Sequence, residues 1–279
     1  MGSLTRFWIC GTLASLLVAK LVVRKRTRML KVLVGVASGT VAIGFLMKGD
    51  YSYPAIGRFS KVMCTAALGL ETILAYMDMP EEFQKTHLRG FTNYVNAAVV
   101  GNIAMMVFIP YHGSVRESTG RVACGLLTVW LLQEMHRVQW KTIDFDTGAF
   151  VFHSLPMSWV WAHTAYRLIL LTSPAFDSLK YVLLEPVSLS LMYTLRRTYD
   201  PNKSRPLSHF FGFADTITAA TLALTSALVH VDTDMPLTWS AVGVDDKVLD
   251  LIGVPIQVGV ACFAATHVWW NLFPTQPDE

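Results

Sequence analysis

The sequence turns on Ala149–Leu171, AFVFHSLPMSWVWAHTAYRLILL. As a helix rising 1.5 Å per residue it would reach about 35 Å, enough to cross the roughly 30 Å hydrocarbon layer of a bilayer. It is not uniformly apolar, since His153, Pro156, Trp159, Trp161, His163, Tyr166 and Arg167 interrupt the Phe, Val and Leu. Trp159, His163 and Arg167 follow i, i+4, i+8 spacing and so share one helical face. Such a face must turn toward other helices or a cavity, because polar groups are costly against lipid. It is then either a packed wall with Arg167 reaching for the surface, or the wall of a pocket. In the second reading Trp159, Trp161 and His163 contact a bound substrate.

Composition sets the class. The chain has 279 residues, 53% hydrophobic and 15% charged, against roughly 25% charged in soluble domains. Apolar runs recur along the whole length with short loops between them, so residues 1–279 read as a single integral membrane domain. Nine hydrophobic segments can be drawn, at 7–23, 30–47, 62–79, 91–110, 122–135, 149–171, 179–195, 210–231 and 251–273. The expected fold is an all-α, polytopic transmembrane helical bundle of about nine spans, or seven to nine if the short segments 122–135 and 179–195 do not cross. Phe7–Val23 lacks the charge order of a cleaved signal peptide and reads as an anchor. Basic residues cluster in the first connection, at Arg24, Lys25, Arg26, Arg28 and Lys31. Placing it in the cytoplasm puts the larger share of loop Lys and Arg inside, with the N-terminus outside and the C-terminus inside. The stretch 232–250 then lies on the outer or lumenal side.

Several chemistries are unsupported. The net charge of +3 follows topology, and no basic stripe interleaved with aromatics points to nucleic acid. Cys10, Cys64, Cys124 and Cys262 all sit in apolar runs without zinc-like spacing and read as small buried hydrophobes. No Walker loop or GxSxG elbow occurs, no lysine for retinal lies in the last two segments, and no internal repeat signals a transporter. No cofactor and no metal is expected.

The embedded acids are the chemical candidates. Glu71 lies in mid-segment, where burial disfavours its charged form and makes it a proton donor; the alternative is a neutral interhelical hydrogen-bonder. Asp215 begins a row with Ala219, Ala223 and Ala227 that allows close helix approach, and is a second catalytic candidate. Glu185 precedes Pro186, whose missing N–H frees a carbonyl at a natural cavity edge, and is a candidate substrate contact. Asp78-Met-Pro-Glu81-Glu82 and Asp144-Phe-Asp146 could hold Mg²⁺ on a diphosphate, but without the paired Asp-rich motifs of intramembrane prenyltransferases they read as rim charges. Glu134, His136 and Arg137 read as interfacial, and Trp269 and Trp270 as an aromatic belt beside His267.

A bundle of this size, with short loops, an aromatic helix and a few embedded acids, resembles the integral membrane proteins of fungal terpenoid and indole-diterpene biosynthesis. The resemblance is one of layout over the whole chain, and no residue is carried over from it. It implies a multi-pass protein of the endoplasmic reticulum or another endomembrane, in contact with lipid, a hydrophobic small molecule and other membrane-bound pathway enzymes. The role would be a metal-free, proton-initiated cyclase or isomerase with Glu71 as acid, or else a non-catalytic scaffold, carrier or transporter.

Overall fold

The computed structural model describes residues 3–24, 26–49, 51, 56, 59, 63, 100, 101, 103–108, 113–137, 143, 144, 149, 150, 156–173, 182, 186–191, 194, 221, 224, 225, 239 and 243–273. They are helical apart from turns and one two-residue strand pairing. The chain forms two compact units interleaved along the sequence. The first comprises Met1–Thr86, Ile143–Val151 and Leu183–Met235, and the second His87–Thr142, Phe152–Val182 and Pro236–Glu279.

In the first unit, α1 (Ser3–Val23) and α2 (Thr27–Lys48) pack as a hairpin. Ala14, Ser15, Val18 and Ala19 of α1 are buried, as are Leu30, Val34, Ala37 and Ser38 of α2, each set following helical spacing. Small residues on both sets let the backbones approach closely. The Ser38 hydroxyl donates to the Val34 carbonyl at 2.7 Å, and Thr40 to Val36 at 2.9 Å, so neither needs water. Gly49, with φ +64°, ends α2 in the left-handed conformation that glycine adopts without strain. Strands β1 (Ile143–Asp144) and β2 (Ala149–Phe150) pair antiparallel, Ile143 opposite Phe150.

The second unit is built on α3 (Val115–Arg137), α4 (Met157–Leu170) and α5 (Asp246–Leu272), which all pack on one another. Helix α3 is longer than the apolar segment 122–135. It starts at Ser114, whose hydroxyl accepts the Arg116 N–H at 3.2 Å, and Ser114-x-x-Glu117 has the spacing of a capping box. Asp245 caps α5 in the same way, accepting the Lys247 N–H at 3.1 Å. Contacts fix the directions. Arg116 near the start of α3 meets Asp246 and Asp250 at the start of α5, and Gln133 near its end meets Val268 and Asn271. The two helices therefore run parallel. Helix α4 runs against both, since Trp159 at its start reaches Leu127 and Thr172 beyond its end reaches Arg116.

One expectation needs correcting. The stretch 149–171 is not one spanning helix: Ala149 and Phe150 are extended in β2, and α4 begins only at Met157. Pro156 sets the boundary, with φ −67° and ψ 140°, because a proline disfavours helical backbone in the residue before it. Its carbonyl accepts the first helical bonds, from Trp159 and Val160. At 14 residues, α4 covers about 21 Å, short of the hydrocarbon thickness.

Among the described residues, Arg28–Lys48 and Asp246–Leu272 are long and apolar enough to cross a membrane. Only 22% and 28% of their most apolar stretches are buried, whereas the core helix of a soluble protein is mostly covered. The segments 62–79, 91–110, 179–195 and 210–231 fall wholly or largely outside the described residues.

Candidate functional site

The interior of the α3–α4–α5 unit holds its polar and aromatic groups in successive layers. At one end Arg116 is buried, with 2% of its surface exposed. Its Nη1 donates to Asp250 Oδ1 at 2.5 Å and to the Asp246 carbonyl at 3.3 Å. Its Nη2 donates to Asp246 Oδ1 at 3.2 Å and to the Thr172 carbonyl at 3.3 Å. Ser114 adds a hydrogen bond to Asp250 at 3.0 Å. Beside this cluster, Ser173 donates to the buried Glu117 carboxylate. Gly253 makes room for the arginine stem: a Cβ there would lie 2.7 Å from Arg116 Cδ and 2.9 Å from Ile169 Cγ2.

In the middle layer the Gln257 side chain, fully buried on α5, donates to the Tyr166 carbonyl at 3.2 Å. Gly120 on α3 lies against both, 3.4 Å from Gln257 Nε2 to a Cβ placed there and 3.9 Å from the Tyr166 ring. The buried Tyr166 hydroxyl has no hydrogen-bond partner among the described residues, and the buried Cys124 thiol donates to the Ile103 carbonyl at 3.2 Å. The Gln257 Oε1 is buried with no hydrogen-bond partner.

Trp159 and His163 lie next, stacked with ring centroids 4.9 Å apart and planes 7° from parallel. The Trp159 indole N–H donates to the Leu127 carbonyl at 3.0 Å. At the far end Trp130 lies flat against His267, with centroids 4.2 Å apart. Its N–H donates to Glu134 Oε1 at 3.0 Å, and Asn271 bridges Glu134 and Gln133 at 3.3 and 3.4 Å. Phe263 and Trp270 meet the His267 ring edge-on.

These positions sort the sequence candidates. Trp159 and His163 share a face, as their spacing requires, and that face is core. Trp159 is 0% and His163 4% exposed, so neither ring stands at an open surface. Trp161 is 51% exposed on the other side of α4; two residues along a helix turn a side chain by about 200°. The structure therefore does not bring Trp159 and Trp161 to one surface. Glu71, Asp215 and Glu185 lie outside the described residues, as do Asp78, Glu81, Glu82, Asp146 and Cys64. Trp269 and Trp270 are exposed and His267 is half-buried against Trp130. Among the described residues no three His, Cys, Asp or Glu side chains group closely enough to hold a metal ion.

The residues that hydropathy overlooks are Arg116, Glu117, Asp246 and Asp250. Each reads as a loop charge, although the Ser114-x-x-Glu117 spacing marks a helix start there. No family model, no curated protein and no solved structure matches this chain.

Proposed function

We propose that the chain is a multi-pass protein of an endomembrane, best placed in the endoplasmic reticulum. There it would serve a hydrophobic secondary-metabolite pathway of terpenoid or indole-diterpene type. The membrane part is supported by the apolar exposed faces of α1, α2 and α5, where Leu13, Val32, Val36 and Leu251 stand uncovered; exposed apolar patches of that extent mark interaction surfaces. The pathway part is supported by the layout of the sequence: short loops, and carboxylates at Glu71 and Asp215 inside apolar segments.

One observation bears on the role. The aromatic face of α4 is closed, with Trp159 fully buried and its N–H taken by Leu127. This favours the scaffold or carrier form for the α3–α4–α5 unit. A catalytic form would rest on Glu71 as the proton donor to an apolar substrate, with Asp215 and Glu185 as further polar contacts.

Co-expression with candidate pathway enzymes, with metabolites profiled in the presence and absence of this chain, tests the pathway role. An unchanged profile at normal expression would exclude it. Glu71→Gln then separates the two forms. It keeps size and hydrogen bonding but removes the carboxylic proton, so a catalytic acid would lose roughly 10²-fold or more in product. A scaffold would keep its yield at equal membrane expression.

A further inference from the structure

We propose that the α3–α4–α5 unit sits in the bilayer in a fixed register. The hydrocarbon layer would lie between the Arg116–Asp250 cluster at one end and the Glu134–Asn271 cluster at the other, and lipid acyl chains would cover the exposed face of α5. The proposal rests on the membrane reading above and adds to it the depth and direction of α3 and α5.

Three independent observations fix the register. The first is length. Arg116 to Glu134 along α3 is about 27 Å, and Asp250 to Asn271 along α5 about 31 Å, both close to the roughly 30 Å of a hydrocarbon core. Both pairs are joined across the two helices, so the clusters mark two planes and not two isolated sites.

The second is charge. From Leu251 to Leu272 the sequence of α5 contains no Asp, Glu, Lys or Arg. Leu251, Ile252, Val258 and Phe263 are exposed on it. The polar side chains in that interval are satisfied or turned away from the exposed side. Gln257 is buried, and the exposed Thr266 returns its hydroxyl to the Cys262 carbonyl at 2.8 Å. A hydroxyl bonded within its own helix needs no water, as lipid contact demands.

The third is the rim. Trp269 and Trp270 stand exposed beside Asn271, where a headgroup region takes indole rings. Lys247 and Asp245 stand exposed at the opposite end of α5. Arg116 would be costly at any depth as a bare cation, yet here it is held at the plane by two carboxylates.

Native Cys262, exposed on α5 between the two planes, provides a probe. Full-length protein with Cys10→Ser and Cys64→Ala is placed in sealed vesicles and treated with a charged, membrane-impermeant maleimide, from outside or loaded inside. Cys124 is kept because it is buried. Cys262 should stay unlabelled from both sides and react fully after SDS. Lys247→Cys and Trp270→Cys, each combined with Cys262→Ala, should label from opposite sides, and Leu272→Cys repeats the second measurement should the Trp270 variant express poorly. Labelling of Cys262 in intact vesicles, or labelling of both ends from one side, overturns the register while the protein stays in the alkaline-carbonate pellet. Release of the protein by alkaline carbonate overturns the membrane reading itself and this proposal with it.

Discussion

Arg116 shows how little a residue's identity says about its setting. The guanidinium is buried, while the Asp246 and Asp250 side chains that answer it are 67% and 31% exposed. Removing one side of the cluster is therefore not equivalent to removing the other. Asp246→Asn with Asp250→Asn strands a buried cation and should cost about 3–5 kcal/mol, the range for breaking a buried pair. Arg116→Met leaves carboxylates that water can reach and should cost less. Thermal unfolding in detergent compares the two, and equal losses would count against the burial argument. Gly253 belongs to the same neighbourhood. Gly253→Ala forces a methyl into the arginine stem and Ile169, and should destabilise by about 1–3 kcal/mol, read as a lower melting temperature. Trp159→Ala should cost about 3–5 kcal/mol. Trp159→Phe should lose less: one hydrogen bond, typically about 0.5–1.5 kcal/mol, and part of the ring volume. If Trp159 only packs, any metabolite produced should fall in both variants in step with expression and keep its profile; a changed profile at equal expression would restore the pocket reading.

At the level of elements, legibility followed the physics that each helix obeys. Helices α2 and α5 were readable because their burial partners are few and their exposed faces are apolar, so hydropathy alone draws them. Helix α3 extends beyond the apolar segment 122–135, where hydropathy reads Arg116, Glu117 and Arg121 as loop charges. The first two are buried, and what makes burial tolerable for Arg116 and Glu117 lies 56 to 134 positions away, beyond any local window. Pro156 marks the start of α4, whereas length and hydropathy alone read 149–171 as one segment. The shared face of Trp159 and His163 followed from spacing, but spacing does not distinguish a wall facing a void from a wall facing Leu127. Proline in α5 makes a test at this scale. Pro255 removes one backbone bond, and its ring is exposed, so Pro255→Ala should leave packing intact and raise thermal stability. A fall in melting temperature would mean the proline shapes the helix.

For the molecule as a whole, the directions of the three helices constrain the topology. With α3 and α5 parallel and α4 reversed, a membrane reading requires an even number of crossings between Leu171 and Asp246. Segments 179–195 and 210–231 must then both cross or both stay out. If both cross, Asn202 in the sequon Asn202-Lys203-Ser204 lies in the cytoplasm and stays unmodified in a eukaryotic host. If neither does, the same orientation places it in the lumen. A mobility shift reversed by glycosidase would therefore remove two spans from the count. The all-α class is legible in the sequence because apolar runs of helical length recur along it. The acids at Glu71 and Asp215, which carry the catalytic form, lie outside the described residues.

The pairing of Arg116 with Asp246 and Asp250 also has a consequence in time. A ribosome makes Arg116 long before its counter-charges, which come 130 and 134 residues later. Throughout that interval the nascent helix carries a cation whose folded site does not yet exist. If the unit lies in the bilayer as proposed, that cation would wait at the aqueous edge of the membrane or be shielded by the insertion machinery. Completion of this unit thus waits for α5, and that helix acts as its latch. Nascent chains stalled before residue 246 should be cleared quickly by quality control, and Arg116→Met should lengthen their lifetime in a pulse-chase measurement.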